Sequence, residues 1–574
     1  MKRETLYAIA IVAAASIIAL ASAWHDSPIV DEIPHIGAGY GYVFEQSYQF
    51  NPEHPPLVKD LAGLGLRLAG LNTAAAHQAF LTHSATTNDQ WNFGRQLLYS
   101  TGGNAIRFVH AAKLPVIIFF ILSGIIIFIW TRRLYNSRAA LLALFLFCFS
   151  PTVVAHARLV TTDVAALFGI LLATYFFTRY LHHQSIKNLW LATITLGVAL
   201  LCKFSTFILL PFFVVLAISW AFAHRHAVMS LLWRTILIIV LAFVVIVGPY
   251  YQLHLIHYPA ARQRADAIVS LESYGNKTLA NPVIYAAGVP ILRPFAQYGL
   301  GLLMVNQRIG GGNRIYFLGR VVNEGGPLYF PIVYGLKEPI PFLILLLVAV
   351  ITSLSRLRFS LKKFRDWLAN NFSQAAMLLW LAIYWTIGIR STVDIGIRYM
   401  MPVYGFTFIL VAGQLAQPRF WHKKYFKIVV GILLAWYLAE FISVYPYYLT
   451  YFNELAGGPA GGHNYVADSN LDWGHDLYHL GDWVKQNNIQ KISLDYFGWA
   501  DQQYYIGPAF TWIVGGQYTS RESFLRDNPQ GGYIAVSATY YQSSIYSDGS
   551  YSWLKNIHPV TVIGHSIFVW YITH

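Results

Sequence analysis

The chain has 574 residues, of which 11% are charged, against roughly 25% in an ordinary soluble domain. Its mean hydropathy is +0.46 and 56% of it is apolar or aromatic. These figures exclude a disordered chain, a disulfide scaffold and a simple soluble enzyme, and predict an α-helical polytopic membrane protein. The 40 basic and 26 acidic residues leave a formal charge of +14. That excess belongs to cytoplasmic loops; with no soluble basic domain to carry it, it does not point to nucleic acid.

The start, Met1-Lys2-Arg3-Glu4 ahead of an apolar run, reads as a retained first span rather than a cleaved leader. Runs long enough to cross the bilayer fall at 6–23, 108–130, 138–156, 160–178, 188–202, 204–222, 232–251, 328–354, 374–390, 399–416 and 428–445, about eleven transmembrane helices in all. The stretch 188–222 is read as two short helices meeting at Lys203, because an ionisable group in mid-run needs a polar exit. Cys148 and Cys202 sit inside apolar runs, so no structural disulfide is expected.

Basic residues test this order. Lys2, Arg3, Arg132, Arg133, Arg138, Lys187, Arg225, Arg234, Arg356, Arg358, Lys362, Lys363, Arg365, Arg419, Lys423, Lys424 and Lys427 all fall on alternate connections. By the positive-inside rule the N-terminus is cytoplasmic, in a plasma (inner) membrane. A membrane domain then covers 1–445, with outer loops 24–107 and 252–327, and an extracytoplasmic α/β domain covers 446–574. In this last part Gly461-Gly462-His463 reads as a turn, 471–485 as a helix, and 491–497, 533–541 and 560–571 as strands rich in aromatic and β-branched residues.

Chemistry-bearing residues gather on the outer side. Asp31-Glu32 follows the first span, and Asn51-Pro52-Glu53-His54-Pro55-Pro56-Leu57-Val58-Lys59 follows soon after. Pro55-Pro56 blocks regular helix and aims Glu53 and His54. Ser150-Pro151, then His156-Ala157-Arg158 and Thr161-Thr162-Asp163, runs into a span, and ionisable groups at that depth face a cavity or each other. Lys203, Lys337-Glu338-Pro339, Arg390, Asp394 and Arg398 share this face. Singly, each reads as a solvated charge, a structural pair or a snorkelling anchor. Together they suit a phosphate anchored in lipid, whose charge must be met at membrane depth. Arg293, Arg308, Arg314 and Arg320 with Gly310-Gly311-Gly312 read as a flexible gating loop rather than a phosphate cradle, for the Lys-Ser/Thr of a Walker motif is missing.

These motifs resemble a known superfamily. Asp31-Glu32 with Glu53-His54-Pro55-Pro56-Leu57-Val58-Lys59 is similar to the acidic pair and "HPPLGK"-like segment of protein O-mannosyltransferases (glycosyltransferase family 39), with Val58 where that family tends to have Gly. Ser150 to Asp163, Tyr329-Phe330-Pro331, Leu336-Lys337-Glu338-Pro339, Gly396-Ile397-Arg398-Tyr399, Tyr451-Phe452-Asn453-Glu454-Leu455 and Asp468-Ser469-Asn470-Leu471-Asp472-Trp473-Gly474-His475-Asp476 resemble bacterial phospholipid-carrier-dependent glycosyltransferases of the GT-C superfamily, relatives of the lipid A aminoarabinose transferase. That family usually has Gln at the position of His475.

The resemblance implies an inverting transferase moving a sugar from a polyprenyl-phosphate donor to a hydroxyl acceptor on a protein, lipid A or another glycan. By that likeness Asp31 is the general base, with Glu32 beside it. His54, Arg158 and Arg398, with Lys203 and Lys337, hold the donor phosphate, and Glu53 and Asp163 bind a divalent metal ion or shape the site. Two other readings compete: a transporter or flippase for a lipid-linked sugar, which would show repeat halves and midplane helix breaks, and an assembly protein whose outer domain binds a cell-wall partner.

Overall fold

The computed structural model describes residues 3–354 and 360–574; Lys2, Arg356 and Arg358, assigned above to the cytoplasmic side, lie outside them. Among the described residues, helices Arg3–Ser22, Ala105–Leu134, Asp163–His182, Phe204–His224, Val228–Leu253, Phe372–Ile389 and Lys424–Ser443 are long and apolar enough to cross a bilayer. Two further pairs are sharply bent, Ser137–Cys148 with Pro151–Ala157 by 63° and Tyr329–Lys337 with Ile340–Leu354 by 116°. The chain is therefore a mostly helical, multi-pass membrane protein. Every expected span meets one of these elements or a shorter helix, Ile186–Cys202 of 17 residues or Met401–Leu415 of 15. Among the described residues seven helices, or nine with each bent pair taken as one span, have full length, and the other two expected spans fall on these shorter helices. Proline accounts for the bends, since Pro151 and Pro339 lack the amide that would carry the helix through. Lys203 accounts for one early stop: it is extended (φ −160°, ψ 145°) and separates Ile186–Cys202 from the next helix, as its charge requires.

The Asp163–His182 helix is the most enclosed span and packs against Ile118–Leu134, Ile186–Cys202 and Met401–Leu415. The loop 24–107 folds into Glu32–Val43, Leu57–Leu68, Thr73–Ser84 and Gln90–Tyr99. The first two cross at glycine. A Cβ on Gly39 would stand 2.2 Å from the Lys59 carbonyl oxygen, and one on Gly63 would stand 2.2 Å from that of Gly39. Only hydrogen fits there, and this contact sets the distance between the segments bearing Asp31 and His54. The loop 252–327, expected to be a flexible gate, is instead largely helical (Ala260–Ser270, Lys277–Ala287, Arg293–Gly311) around its own core of Leu271, Tyr274, Ala280 and Leu300. Gly312 leaves the last helix at φ +64°, and a short antiparallel hairpin follows, β1 Ile315–Phe317 and β2 Arg320–Val322.

The C-terminal part carries β3 Ile492–Asp495, β4 Phe510–Trp512, β5 Gly532–Ser537, β6 Thr561–Ile563 and β7 Ile567–Ile572. They form one sheet in the order β4-β3-β5-β7-β6, with β3 parallel to β4 and β5, and β7 antiparallel to β5 and β6. The expected strand 560–571 is a hairpin turned at Gly564 and His565, both at positive φ. The expected strand 533–541 ends at Ser537 and continues as helix Ala538–Ile545, and the helix expected at 471–485 begins at Leu477. Alternation divides the sheet's faces. Ile534, Val536 and Trp570 join the main core, while Ala535, Val569 and Leu494 pack on helix Leu477–Gln486. The segment before that helix belongs with the membrane body, because Tyr448, Phe452, Leu471 and Trp473 are buried in the main core.

One buried acid ties the sheet to this segment. The Asp472 carboxylate is 1% exposed and accepts the Thr539 amide at 2.9 Å. Burial pushes it up to about 8. A raised folded-state value means that the native chain holds a proton that the unfolded chain releases near pH 4. Stability is then lost as pH climbs from about 4 to about 8. We expect Asp472→Asn, which keeps the amide contact, to show a smaller fall in apparent melting midpoint between pH 5 and pH 8 than the wild type in detergent. Gly63→Ala should lower that midpoint at every pH, at a cost of about 1–3 kcal/mol for overpacking a contact with no room.

Candidate active site

The first span ends at Ser22, and residues 27–30 are held extended against the far end of the sequence. The Ser27 amide donates to the His475 carbonyl at 2.9 Å and the Val30 amide to that of Trp473 at 3.0 Å. Helix Glu32–Val43 starts immediately after, leaving Asp31 at its N-cap with no capping bond to make. Its side chain, 21% exposed, turns to Arg398, whose Nη1 lies 2.7 Å from Asp31 Oδ2. Asp31 therefore sits at a helix N-terminus, a position that suits an acid, and faces a guanidinium.

Arg398 sits in the 3₁₀ turn Ile397–Met400 that leads into Met401–Leu415. The turn is fixed by the 468–473 segment: the Ile397 amide donates to Asn470 Oδ1 at 2.9 Å. The Arg398 guanidinium lies over the Trp473 ring at 4.2 Å and near the Tyr399 ring at 5.1 Å. A second acid, Asp163, stands 3.8 Å from Nη1. Asp163 opens its own helix and is bound by Lys203 Nζ at 2.5 Å. Lys203 Nζ in turn lies over the Tyr399 ring, 5.0 Å from its centroid. Asp31, Arg398, Asp163 and Lys203 thus form one alternating row of charges, with Asp31 and Lys203 partly open to solvent.

His54 joins this row from the Pro55-Pro56 segment. Its ring meets His35 edge-on at 5.0 Å, and His35 Nδ1 is anchored on the Val160 carbonyl at 2.7 Å. Burial first, then the positive charges of His35, Lys59, Lys203 and Arg308, hold the His54 imidazole well below its ordinary value. It is therefore a neutral hydrogen-bonding group in cationic surroundings, a place that attracts an anion. The segment is aimed by Lys59, a fully buried ammonium that donates to the carbonyls of Asn51 (2.8 Å) and His54 (2.6 Å), to Asn51 Oδ1 (2.9 Å) and to the Tyr42 hydroxyl (3.0 Å).

Other expected residues lie elsewhere. Glu32 is wholly buried, 3.3 Å from Lys113, and accepts the amides of Val160 (2.8 Å) and Ile29 (3.0 Å); it is a clasp between segments, not a second base. Arg158 does not meet Arg398. It is 1% exposed and engaged with Asp26 at 3.1 Å, the Ser22 carbonyl at 2.6 Å and the Pro446 carbonyl at 3.3 Å. Lys337 is buried under the 468–473 segment, donating to the Leu449 and Asn470 carbonyls at 2.8 Å each. Burying each charge with its own partners removes it from contact with a ligand. Glu53 remains near His54 but accepts from Gln90 at 2.6 Å and Asn88 at 3.4 Å. Among the described residues no group of three or more His, Cys, Asp or Glu is arranged to hold a metal ion. With Asp163 taken by Lys203 and Glu53 by two amides, the pair does not fit a divalent ion as arranged.

Two residues were missed as site members. Trp473 forms the floor under Arg398. Asp468, at φ +55°, is pushed up to about 6 by burial, against the pull of Arg398. Both lie in the motif Asp468-Ser469-Asn470-Leu471-Asp472-Trp473, whose concentration of polar groups was the available signal.

Similarities to known proteins bear on this geometry to different extents. No curated protein sequence matches the chain. The chain aligns with the archaeal oligosaccharyltransferase AglB of Archaeoglobus fulgidus, solved with an inhibitory peptide and a dolichol-phosphate, at 13% identity over 96% of this chain and 72% of that one, with a TM-score of 0.46. ArnT of Cupriavidus metallidurans bound to undecaprenyl phosphate aligns at 12% identity over 99% and 98%, with a TM-score of 0.34. The S. cerevisiae protein O-mannosyltransferase complex Pmt1-Pmt2, bound to the sugar donor, aligns at 18% identity over 45% and 34%, also at 0.34. Residues 106–249, about a quarter of the chain, match the family described as dolichyl-phosphate-mannose-protein mannosyltransferase. This stretch includes Asp163 and the Lys203 break, so two members of the charged row lie inside it.

Proposed function

We infer that the chain is a glycosyltransferase of the membrane, moving a hexosyl or pentosyl unit from a polyprenyl-phosphate donor to a hydroxyl acceptor at the extracytoplasmic surface. The observation that carries this reading is the 2.7 Å contact between Arg398 and Asp31: one cation able to receive a phosphate holds one carboxylate able to receive a proton. The match of residues 106–249 supports the same class.

The step follows from the charges. The donor phosphate competes with Asp31 for the Arg398 guanidinium, and a bidentate fork suits phosphate at least as well as carboxylate. Asp31, released, takes the proton of the acceptor hydroxyl as its oxygen attacks the anomeric carbon from the face opposite the phosphate. The new carbon–oxygen bond forms while the bond to the phosphate oxygen breaks, inverting the centre. The electron pair leaves with the lipid phosphate, whose growing charge is met by Arg398, Lys203 and the neutral His54. Asp163 holds Lys203 and Arg398 in place. Trp473 and Tyr399 keep water from the guanidinium, strengthening its pull.

Transfer of a radiolabelled sugar from a polyprenyl-phosphate donor tests this. Asp31→Asn should lower turnover by roughly 10²-fold or more, while donor binding holds or tightens because the competing carboxylate is gone. Arg398→Leu should weaken donor binding, and Arg398→Lys should restore part of it. Unaltered turnover in Asp31→Asn would remove the assignment. Arg158→Leu serves as a contrast. It should cost about 3–5 kcal/mol of stability by orphaning the buried Asp26, seen as a lower melting midpoint, while the folded fraction binds donor normally.

A further inference from the structure

A second charged cavity lies at the other end of the membrane body. Helices Arg3–Ser22, Ser137–Cys148, Met401–Leu415 and Lys424–Ser443 each have one end on the Asp31–Arg398 side and the other at this cavity. The Met401–Leu415 helix alone puts about 22 Å between them. The cavity has a volume of about 580 Å³, and its lining includes Arg138, His422 and Lys427, with Glu4 as its one acid. Among the described residues no carboxylate lies within ion-pair distance of Arg138, His422 or Lys427. One wall is rigid: Trp421 donates its Nε1–H to the Leu415 carbonyl at 2.9 Å, and the Arg138 guanidinium stands 5.9 Å from its ring.

We propose that this cavity binds the headgroup of an acidic phospholipid. Basic side chains that merely anchor helices at an interface need only water, and point outward. Here three converge on one concavity large enough for a glycerophosphate headgroup. The remaining lining includes apolar Leu141, Ala416 and Pro418, suited to a glycerol backbone and its first methylenes but of no use to a free phosphate. From the cavity, exposed apolar residues continue along two bordering helices: Leu6 and Ile9 on one, Ile428 and Ile432 on the other. They offer acyl chains a path into the bilayer. Clusters of Lys and Arg at membrane depth attract anionic headgroups in this way.

The full chain in phosphatidylcholine nanodiscs, doped with brominated phosphatidylglycerol or with brominated phosphatidylcholine at equal mole fraction, tests this by quenching of Trp421. The Trp421 signal is the difference between wild type and Trp421→Phe. Brominated phosphatidylglycerol should quench it at roughly tenfold lower mole fraction than the zwitterionic lipid. Arg138→Gln with Lys427→Gln should erase that preference, Arg138→Lys should retain it, and millimolar inorganic phosphate should leave the quenching unchanged. Equal quenching by the two lipids in the wild type overturns the proposal even if the double variant does not fold. Persistence of the preference in a folded double variant overturns it as well, and relief of quenching by inorganic phosphate assigns the cavity to free anions instead.

Discussion

The guanidinium of Arg398 is a permanent charge in surroundings from which water is nearly excluded, and two carboxylates offset it, Asp31 at 2.7 Å and Asp163 at 3.8 Å. Losing either would leave a charge whose desolvation the fold could not offset. The architecture around it answers that requirement. The Asp163–His182 helix begins where its first residue can face Arg398, and the apolar run at 188–222 stops where Lys203 can face Asp163. Trp473 closes the underside. The row alternates in sign, so each member offsets the charge of its neighbour.

Three other buried charges hold the frame that keeps this row aligned. Arg158 joins the end of the first span to Pro446, Lys337 joins the bent Tyr329–Lys337 helix to the 468–473 segment, and Glu32 joins the 29–32 turn to Val160. Each spans segments remote in sequence. Each satisfies carbonyls or amides that helix ends and bends leave unpaired. Polar residues around this row therefore divide into struts, enclosed by their own partners, and a smaller set left partly open.

That division explains what could be read in advance. Membrane runs announce themselves by hydropathy, and Lys203 marked its own helix break because a charge in mid-run has few places to go. Asp31, His54, Asp163, Lys203 and Arg398 were legible as ionisable groups on one face. Arg158 and Lys337 looked the same, for the sequence records that a charge is present but not which remote carbonyl or carboxylate will meet it. Trp473 and Asp468 lay in a motif the sequence displayed, but their place beside Arg398 emerged only when the chain folded back on its beginning. The bends at Pro151 and Pro339 follow from proline, but hydropathy alone does not report them. In the C-terminal sheet, β-branched and aromatic content located strands but also carried the reading past Ser537 into a helix and across the Gly564 turn.

Val30 and Trp473 are joined by a backbone hydrogen bond, and this has a consequence for how the protein is made. A ribosome delivers the chain from its N-terminus, so Asp31 reaches the membrane long before the indole that floors its partner exists. During most of synthesis the guanidinium pocket is an open half-site, and every intervening helix must be inserted before its two halves can meet. The charged row is thus completed only once the segment around residue 473 has emerged, and a chain stopped short of it would carry the charges without the ring that floors Arg398.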